Sequence, residues 1–109
     1  MATTLKNIVI KNVGTSPIDA ITTGGGIRAT ILGISFTNLL NSFCYVDILI
    51  RDDTSQTGYY LKDSLLPETT SLRAVSTGEK LVLAPNNVLQ VRSSVDDSVD
   101  VIISYVEIT

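Results

Sequence analysis

Residues Phe43–Arg51 read FCYVDILIR, and apolar side chains recur at every second position of this stretch. A period of two is typical of a β-strand with one face on a core, because successive side chains of a strand point to opposite faces. The predicted inward set is Cys44, Val46, Ile48 and Ile50, and the predicted outward set is Tyr45, Asp47 and Arg51. This stretch therefore predicts a strand with one buried and one solvated face.

The composition of the whole chain favours the same kind of structure. Thirteen Thr, twelve Ile and eleven Val make 36 of the 109 residues β-branched, whereas only five are Ala. β-branched side chains fit a pleated sheet and lose rotamer freedom in a helix, for which Ala is the best former. The composition predicts an all-β protein.

Further predicted strands lie on both sides of Phe43–Arg51. They are Leu5–Val13, Ile18–Thr22, Ile27–Thr37, Gly58–Lys62, Leu72–Val75, Lys80–Ala84, Val88–Arg92 and Val99–Ile108. Polar, Gly and Pro residues separate them, including a glycine turn at Gly24–Gly26 and a turn at Thr77 and Gly78. Within Ile27–Thr37, alternation predicts that Leu32, Ile34 and Phe36 share the inner face.

One pair of these strands has the sequence of a hairpin. Pro85, Asn86 and Asn87 separate Lys80–Ala84 from Val88–Arg92. Proline presets the backbone of the first turn residue, and asparagine tolerates a left-handed backbone. We therefore expect these two strands to pair with each other across the turn.

Eight or nine short strands in one domain, residues 1–109, without a helical pattern between them favour an antiparallel two-sheet β-sandwich. Period and spacing leave the strand order open, so an Ig-like and a jelly-roll-like topology are both compatible with the sequence.

A chain of 109 residues forms a core without cross-links. Cys44 is the single cysteine, and its place in the alternation predicts a small buried side chain without reactivity.

Charge and hydropathy restrict the partners. The chain has 8 Lys and Arg against 11 Asp and Glu, a net charge of −3, and its basic residues are scattered singly, which argues against binding nucleic acid. No apolar run approaches the length of roughly 20 residues that a membrane helix requires, and the start of the chain lacks the pattern of a secretory signal. Only 17% of residues are charged and the mean hydropathy is +0.31, which indicates apolar surface covered by a partner chain.

The residues that usually carry chemistry are missing or are better explained as loop residues. Histidine is absent, which excludes Ser/His/Asp and Cys/His catalysis and histidine metal sites. Gly24–Gly26 lacks the spacing of a phosphate-binding loop. The acidic groups, Asp52 with Asp53 and Asp96 with Asp97 and Asp100, have the character of solvated turn residues and match no known calcium loop. We therefore expect no enzymatic activity, no cofactor and no metal site.

Two pairs of exposed-type residues are candidates for contact with a partner protein. Tyr59 and Tyr60 are adjacent in a predicted strand, so each face of that strand must take one ring, and tyrosine is a common anchor at interfaces. Leu39 and Leu40 lie in a predicted connector, where they either plug one end of the sandwich or contact a partner.

Three stretches carry a resemblance to a known group of proteins. They are RATILGISFTNLLNSFCYVDILIRDD at 28–53, YYLKDSLLPETTSLRAVSTGEKLVLAPNNVLQVRS at 59–93 and SVDVIISYVEIT at 98–109. In this order they resemble small virion structural proteins of tailed bacteriophages, notably phages of cyanobacteria and marine bacteria. The resemblance covers about three quarters of the chain, and Pro85–Asn87 replaces what in that pattern is often an acidic turn containing glycine.

The resemblance implies a non-enzymatic building block of the virion, made in the bacterial host cytoplasm. It implies a homo-oligomer that also contacts other virion proteins, above all the major capsid protein. The leading interpretation is a capsid decoration (cement) protein, which gains affinity from many repeated contacts. The alternative within the same virion is a neck, tail or fibre-associated component.

Two readings from other classes are disfavoured by the residues present. A carbohydrate-binding module usually stacks sugars on exposed rings, but the chain has no Trp and only 6% aromatic residues. A hydrolase with a carboxylate pair would need two tuned acids in a cleft, and no such pair is apparent in the sequence.

Overall fold

The computed structural model describes residues 2–75 and 81–109. These residues form nine strands and no helix, which confirms the predicted all-β class. The strands are β1 (Thr3–Val13), β2 (Ile18–Thr22), β3 (Arg28–Asn38), β4 (Cys44–Arg51), β5 (Thr57–Leu66), β6 (Ser71–Val75), β7 (Leu81–Leu83), β8 (Val88–Ser93) and β9 (Val99–Ile108). The predicted turn at Thr77 and Gly78, and Lys80 at the start of a predicted strand, lie outside the described residues. No helix capable of spanning a membrane occurs in the two described ranges.

The nine strands form two antiparallel sheets. The five-stranded sheet has the order β1-β9-β3, and both β6 and β7 pair with the far side of β3. The four-stranded sheet has the order β2-β8-β4-β5. The strands β6 and β7 lie end to end along the same side of β3 and together fill one strand position of the sheet. Strand β6 pairs with Ile34–Thr37, and β7 pairs with Ala29–Ile31.

This strand order is that of a long antiparallel hairpin folded into two sheets. Strand β1 pairs with β9, β2 with β8, β3 with β6 and β7, and β4 with β5. Eight strand positions paired from the ends of the chain inward and divided between two sheets define a jelly roll. Of the two topologies that the sequence left open, the structure therefore has the jelly roll.

The core lies between the facing sheets and is almost wholly apolar. Its largest fully buried side chains are Phe36, Ile31, Ile34, Ile48, Leu66, Leu83, Leu89, Ile103, Val13, Val46 and Val91. Cys44 is buried among them with a free thiol, as its position in the alternating pattern predicted. Both sheets contribute to this core, for example through Ile31 and Ile103 of the five-stranded sheet and Ile48 and Leu89 of the four-stranded sheet. The two sheets therefore hold one another through shared apolar packing.

The prediction for Leu32 is wrong. Leu32 is exposed, whereas Ile34 and Phe36 are buried as predicted. The cause is a β-bulge, because the register between β3 and β9 shifts between Ile31 and Gly33. An extra residue in one strand reverses the alternation beyond it, so Ile31 and Ile34 both point inward although they are three residues apart.

The predicted hairpin across Pro85, Asn86 and Asn87 is also wrong. Within the described residues β7 pairs with β3, and β8 pairs with β2 and β4. The turn instead bonds to the buried Thr23, whose hydroxyl donates to the Ala84 carbonyl at 2.7 Å and accepts from the Asn87 N–H at 2.9 Å. The turn thus carries the chain from one sheet to the other. The predicted turn conformation is confirmed, since Asn86 has a left-handed backbone with φ of 62°.

Gly14 is required where the loop after β1 crosses the turn between β8 and β9. A Cβ at this position would lie 2.7 Å from Asp96 Oδ1 and 3.2 Å from Asp96 Cα. We expect Gly14→Ala to lower the free energy of unfolding by about 1–3 kcal/mol, because the overpacked loop must shift. Chemical denaturation measures this loss. Gly25→Ala is the matched control, since nothing lies within 4 Å of its Cβ, and an equal loss in both variants would contradict the steric explanation.

Candidate protein interaction surfaces

The outer face of the four-stranded sheet carries a cluster of exposed apolar side chains at one end. Tyr45 on β4 lies directly opposite Leu65 on β5, and Phe43 just before β4 packs edge-on against Tyr45 with ring centroids 5.7 Å apart. Phe43 is 57% exposed and Leu65 53%. Together with Pro67 they line an open groove of about 460 Å³, which Ser42 and Glu68 complete. We call Phe43, Tyr45, Leu65 and Pro67 the aromatic patch.

A buried asparagine holds the loop beside the aromatic patch. The Asn38 side-chain amide donates to the carbonyl oxygens of Ser42 at 3.0 Å and of Leu66 and Pro67 at 3.1 Å. Its Oδ1 accepts the N–H of Leu40 at 2.8 Å. Asn38 thereby ties the connector between β3 and β4 to the end of β5, because buried polar groups must find partners. These bonds hold the two backbone segments that carry the patch, the connector before β4 and the end of β5, next to each other.

The connector also contains two of the sequence-predicted contact residues. Leu39 is 46% exposed, and its N–H donates to the Ser98 carbonyl at 2.8 Å. Leu40 is half-buried, and its carbonyl accepts the N–H of Thr69 at 3.3 Å. Leu39 therefore presents apolar surface at the same end of the sandwich as Phe43, whereas Leu40 is partly covered.

Tyr59 and Tyr60 lie near the opposite end of β4 and β5. Tyr59 is opposite Leu49, four positions along β4 from Tyr45, and its ring lies 5.1 Å from the Lys62 ammonium. The register shifts between Leu61 and Tyr59, so Tyr60 is the extra residue of a bulge. Both tyrosines are exposed, and the bulge interrupts the regular alternation on which the expected division of the two rings between the faces depends. The structure thus separates the tyrosine pair from the leucine pair.

Asp47 is on the outward face of β4, as its position predicts, but it is buried instead of solvated. Its Oδ2 accepts from Arg92 Nη1 on β8 at 2.6 Å, and its Oδ1 accepts the N–H of Asp63 at 2.6 Å. Asp63 has a φ of 48° and is part of the bulge in β5. Arg92 Nε also reaches the Thr15 carbonyl at 3.3 Å. The ion pair therefore joins two central strands, the bulge and the loop after β1.

The outer face of the five-stranded sheet carries scattered apolar side chains. Val9 lies opposite Ile102, and Leu5 is in one cross-strand row with Val106, Thr30 and Val82. The exposed members of this face are Leu5, Val9, Leu32, Val82 and Ile102. They are aliphatic, lack the edge-on ring pair of the aromatic patch and are most exposed along β1, where Leu5 reaches 76%.

The carboxylates of Asp52 and Asp96 each stabilise a turn. Hydrogen bonds from the Thr54 hydroxyl and the Gln56 N–H lower the pKa of Asp52, and bonds from the N–H and hydroxyl of Thr15 lower the pKa of Asp96. These contacts all use Oδ1 of the two carboxylates. In the part of the chain that the structure describes, no three Cys, Asp or Glu side chains are placed to hold a metal ion.

These lowered pKa values lead to an expected pH dependence. A carboxyl whose pKa is lower in the folded chain adds stability above its unfolded pKa, and this stability disappears as the pH falls through the folded pKa. Histidine is absent, so no side chain has a usual pKa between about 5 and 8. We expect urea midpoints to be constant from about pH 7 to 5 and to fall below about pH 4. In the Asp96→Asn variant the urea midpoint should fall less steeply at acid pH. A fall of the wild-type midpoint already near pH 6 would contradict the attribution of the pH dependence to these carboxyls.

Sequence reasoning missed part of the surface. The sequence places Phe43 at the start of a predicted strand and Leu65 outside every predicted strand. For Leu65 the sequence holds an indirect signal, because Leu65 and Leu66 are adjacent and a strand extended from Gly58–Lys62 to this pair must expose one of them. Pairing of Tyr45 with Leu65, which creates the patch, depends on the register between β4 and β5 and on two bulges.

The comparisons with known proteins add a likeness in three dimensions. No protein-family model and no curated protein matches the sequence. Among solved structures, a chain of the acidic stable capsid structure of Helicobacter pylori bacteriophage KHP30 superposes with a TM-score of 0.54 and 11% identity. The match covers 98% of this chain and 87% of that chain. At this identity the likeness establishes the fold: this chain has, over nearly its whole length, the fold of a chain in a phage capsid.

Proposed function

We propose that this chain, acting as a single domain, is a non-enzymatic structural protein of a tailed-phage virion and that it decorates the capsid. The observation that carries the proposal is the fold shared over 98% of the chain with a component of a phage capsid structure. The resemblance of residues 28–109 to small virion proteins of tailed phages points the same way. The proposal includes the finer expectations of that resemblance: a cyanobacterial or marine host, synthesis in the host cytoplasm and assembly in many copies.

The surface of the molecule supports a role in protein contacts. Aromatic side chains are enriched at the centres of protein interfaces, where a few residues carry most of the binding energy. The aromatic patch provides two rings, a leucine and a proline beside an open groove, on a backbone fixed by Asn38. Its packed rings lose little conformational freedom on binding, which lowers the entropic cost of association.

We propose that the aromatic patch, with Leu39 and Leu40 beside it, contacts the major capsid protein. The partner surface that fits the patch is apolar at its centre, with a side chain that enters the groove between Phe43 and Leu65. Tyr59 and Tyr60 form a flanking contact on the same sheet. A decoration protein with one such contact per copy gains stability for the shell from its repetition over many equivalent sites.

Deleting the gene from its phage tests this role. A capsid decoration protein is dispensable for building the shell, so we expect the deletion phage to assemble filled heads that lose DNA at lower temperature than the parent. Adding the purified protein back should restore the thermal stability of the heads. Release of DNA is followed by the fluorescence of a dye that binds free DNA during heating.

The same deletion distinguishes the alternative position in the virion. A neck or tail component is needed to join or complete the particle, so its loss would leave heads without tails or tails without their tips, with heat stability of the head unchanged. That outcome, seen by negative-stain microscopy, would overturn the decoration role and support the neck or tail alternative. Particles with unchanged shape and unchanged stability would contradict both.

A further inference from the structure

The four open edges of the two sheets differ in how they are protected. Strand β2 has five residues and a register shift, β5 contains two bulges, and the edge formed by β6 and β7 consists of pieces of five and three residues. Short, bulged and interrupted strands are the usual means of preventing an edge from pairing with another chain. Three of the four edges therefore carry such protection.

The edge formed by β1 does not. Strand β1 has eleven residues, and it pairs with β9 in unbroken register from Thr3 to Ile10. Among the strands of the described ranges, β9 is its sole partner. Its exposed side chains include Leu5 at 76% and Val9 at 59%, which together with Val82 are the most exposed large hydrophobic residues that the structure describes. A long regular edge with apolar side chains is a template for a further strand.

The hydrogen bonds show which backbone groups face this open edge. The Ala2 N–H donates to the Thr109 carbonyl and the Thr109 N–H donates to the Ala2 carbonyl, at 3.2 and 2.9 Å. Antiparallel strands alternate between such hydrogen-bonded pairs and non-bonded pairs. In the same register the even-numbered residues of β1 bond to β9, so the odd-numbered ones turn their N–H and C=O outward. These are Thr3, Leu5, Asn7 and Val9.

We propose that two copies of this chain pair through β1, antiparallel and about a two-fold axis at Asn7, so that the two five-stranded sheets become one continuous sheet. In this register Leu5 of each copy lies opposite Val9 of the other, and Asn7 lies opposite itself. Both of the exposed apolar residues of β1 then gain an apolar neighbour across the new strand pair. Aliphatic cross-strand pairs of this kind stabilise antiparallel sheets.

Neighbouring registers are less favourable for this sequence. A shift of one pair toward the N-terminus places Lys6 opposite Lys6 of the other copy, and like charges directly opposite each other destabilise a sheet. A shift of one pair toward the C-terminus places Leu5 opposite Lys11 and Asn7 opposite Val9. With the axis at Asn7, Lys6 faces Ile8 and retains its ion pair with Glu107 at 3.1 Å. β1 is therefore complementary to itself in one register.

This pairing deepens the homo-oligomer part of the proposed function but does not depend on capsid binding. The two are tested separately, because self-association is measured on the purified chain without any capsid. A chain that dimerises through β1 and fails to bind heads would overturn the decoration role alone. A chain that binds heads as a monomer would overturn the β1 pairing alone.

The test is the mass of the purified chain in solution, by sedimentation equilibrium at concentrations up to about 0.1 mM. We expect twice the chain mass of 11.7 kDa for the wild type. Asn7→Pro removes an N–H that faces the open edge and leaves the bonds to β9 in place, so it should yield folded monomer. Asn7→Thr keeps that N–H and should remain a dimer. A monomeric wild type, or dimers unaffected by Asn7→Pro, would overturn the proposal.

Cysteine substitution tests the register and covers the case in which Asn7→Pro does not fold. Hydrogen-bonded residues on neighbouring strands have Cα atoms about 5.5 Å apart, which is within the span of a disulfide. Asn7→Cys should therefore form a disulfide-linked dimer on mild oxidation. Val9→Cys should not, because its own copy in the partner lies about four residues along the strand, roughly 13 Å away. The native Cys44 is buried and does not compete. Equal crosslinking of both variants would overturn this register.

Discussion

Replacing Asp47 with alanine is expected to lower the free energy of unfolding by about 2–4 kcal/mol. The side chain of Asp47 is 2% exposed, whereas that of Arg92 is 30% exposed. Loss of the carboxylate leaves the Arg92 guanidinium without its anion and the Asp63 N–H without an acceptor. Because Arg92 keeps some contact with water, we place the loss below that of a fully buried pair. Urea unfolding followed by far-UV circular dichroism measures it.

Two further variants separate the contribution of the Asp47–Arg92 ion pair from that of the hydrogen bond between Asp47 and the Asp63 N–H. Asp47→Asn can still accept the Asp63 N–H and should lose less stability than Asp47→Ala. Arg92→Met removes the cation and leaves a buried carboxylate, so it should cost at least as much as Asp47→Ala. In the double variant of Asp47→Ala and Arg92→Met, the losses should be clearly less than additive. A loss below about 1 kcal/mol for Asp47→Ala would show that the pair behaves as a surface ion pair.

The double variant Phe43→Ser and Tyr45→Ser is expected to weaken binding to phage heads by about 100-fold or more. Each ring is of the type and position at which truncation commonly costs about 2 kcal/mol in an interface. Because both side chains are exposed and lie outside the core, the fold should be retained. Binding is measured by titrating the purified, labelled variant onto heads that lack the protein and separating the bound fraction by sedimentation.

Val82→Ser is the matched control for this experiment. Val82 is 59% exposed and apolar but lies on the five-stranded sheet, on the opposite outer face from the aromatic patch. Its substitution should leave head binding unchanged. If Val82→Ser weakens binding as much as the double variant, the contact surface is not the aromatic patch. Tyr59→Ser, measured alongside, reports whether the flanking contact contributes.

The parts of the fold that follow from local alternation could be predicted from the sequence. The strands Ile18–Thr22 and Val99–Ile108 have the bounds that their patterns indicate, and Cys44, Val46 and Ile48 are buried. Alternation is unbroken in these segments, so the position of a residue in the pattern predicts the face on which its side chain lies. Strand order is a different kind of property, because it depends on contacts between residues far apart in the chain.

The predictions that were wrong each involve a long-range partner. The bulge beside Leu32 is set by the pairing of β3 with β9, some 70 residues later. Asp47 is buried because Arg92, on β8, neutralises it. The turn at Pro85–Asn87 bonds to Thr23 instead of closing a hairpin. In all three cases the local sequence is compatible with the observed backbone, and the partner that decides the outcome lies on another strand.

The candidate contact surface also has parts that local sequence predicts and parts that depend on residues far apart in the chain. Of the four candidates that the sequence indicates, Leu39, Tyr59 and Tyr60 are exposed and Leu40 is half-buried. The aromatic patch could not be selected, because it requires that Tyr45 lie opposite Leu65 and that Asn38 hold Pro67 beside them. Alternation identified Tyr45 as outward-facing, but a period of two carries no information about the neighbouring strand.

The copy number of this chain in purified particles of its phage tests the central claim most directly. Quantitative mass spectrometry gives it relative to the major capsid protein. A decoration protein occupies every equivalent site of the shell, so we expect a ratio near one or a simple fraction of one. A handful of copies per particle, as in a ring at the neck or tail, would contradict capsid decoration, and absence of the chain from particles would contradict a structural role in the virion.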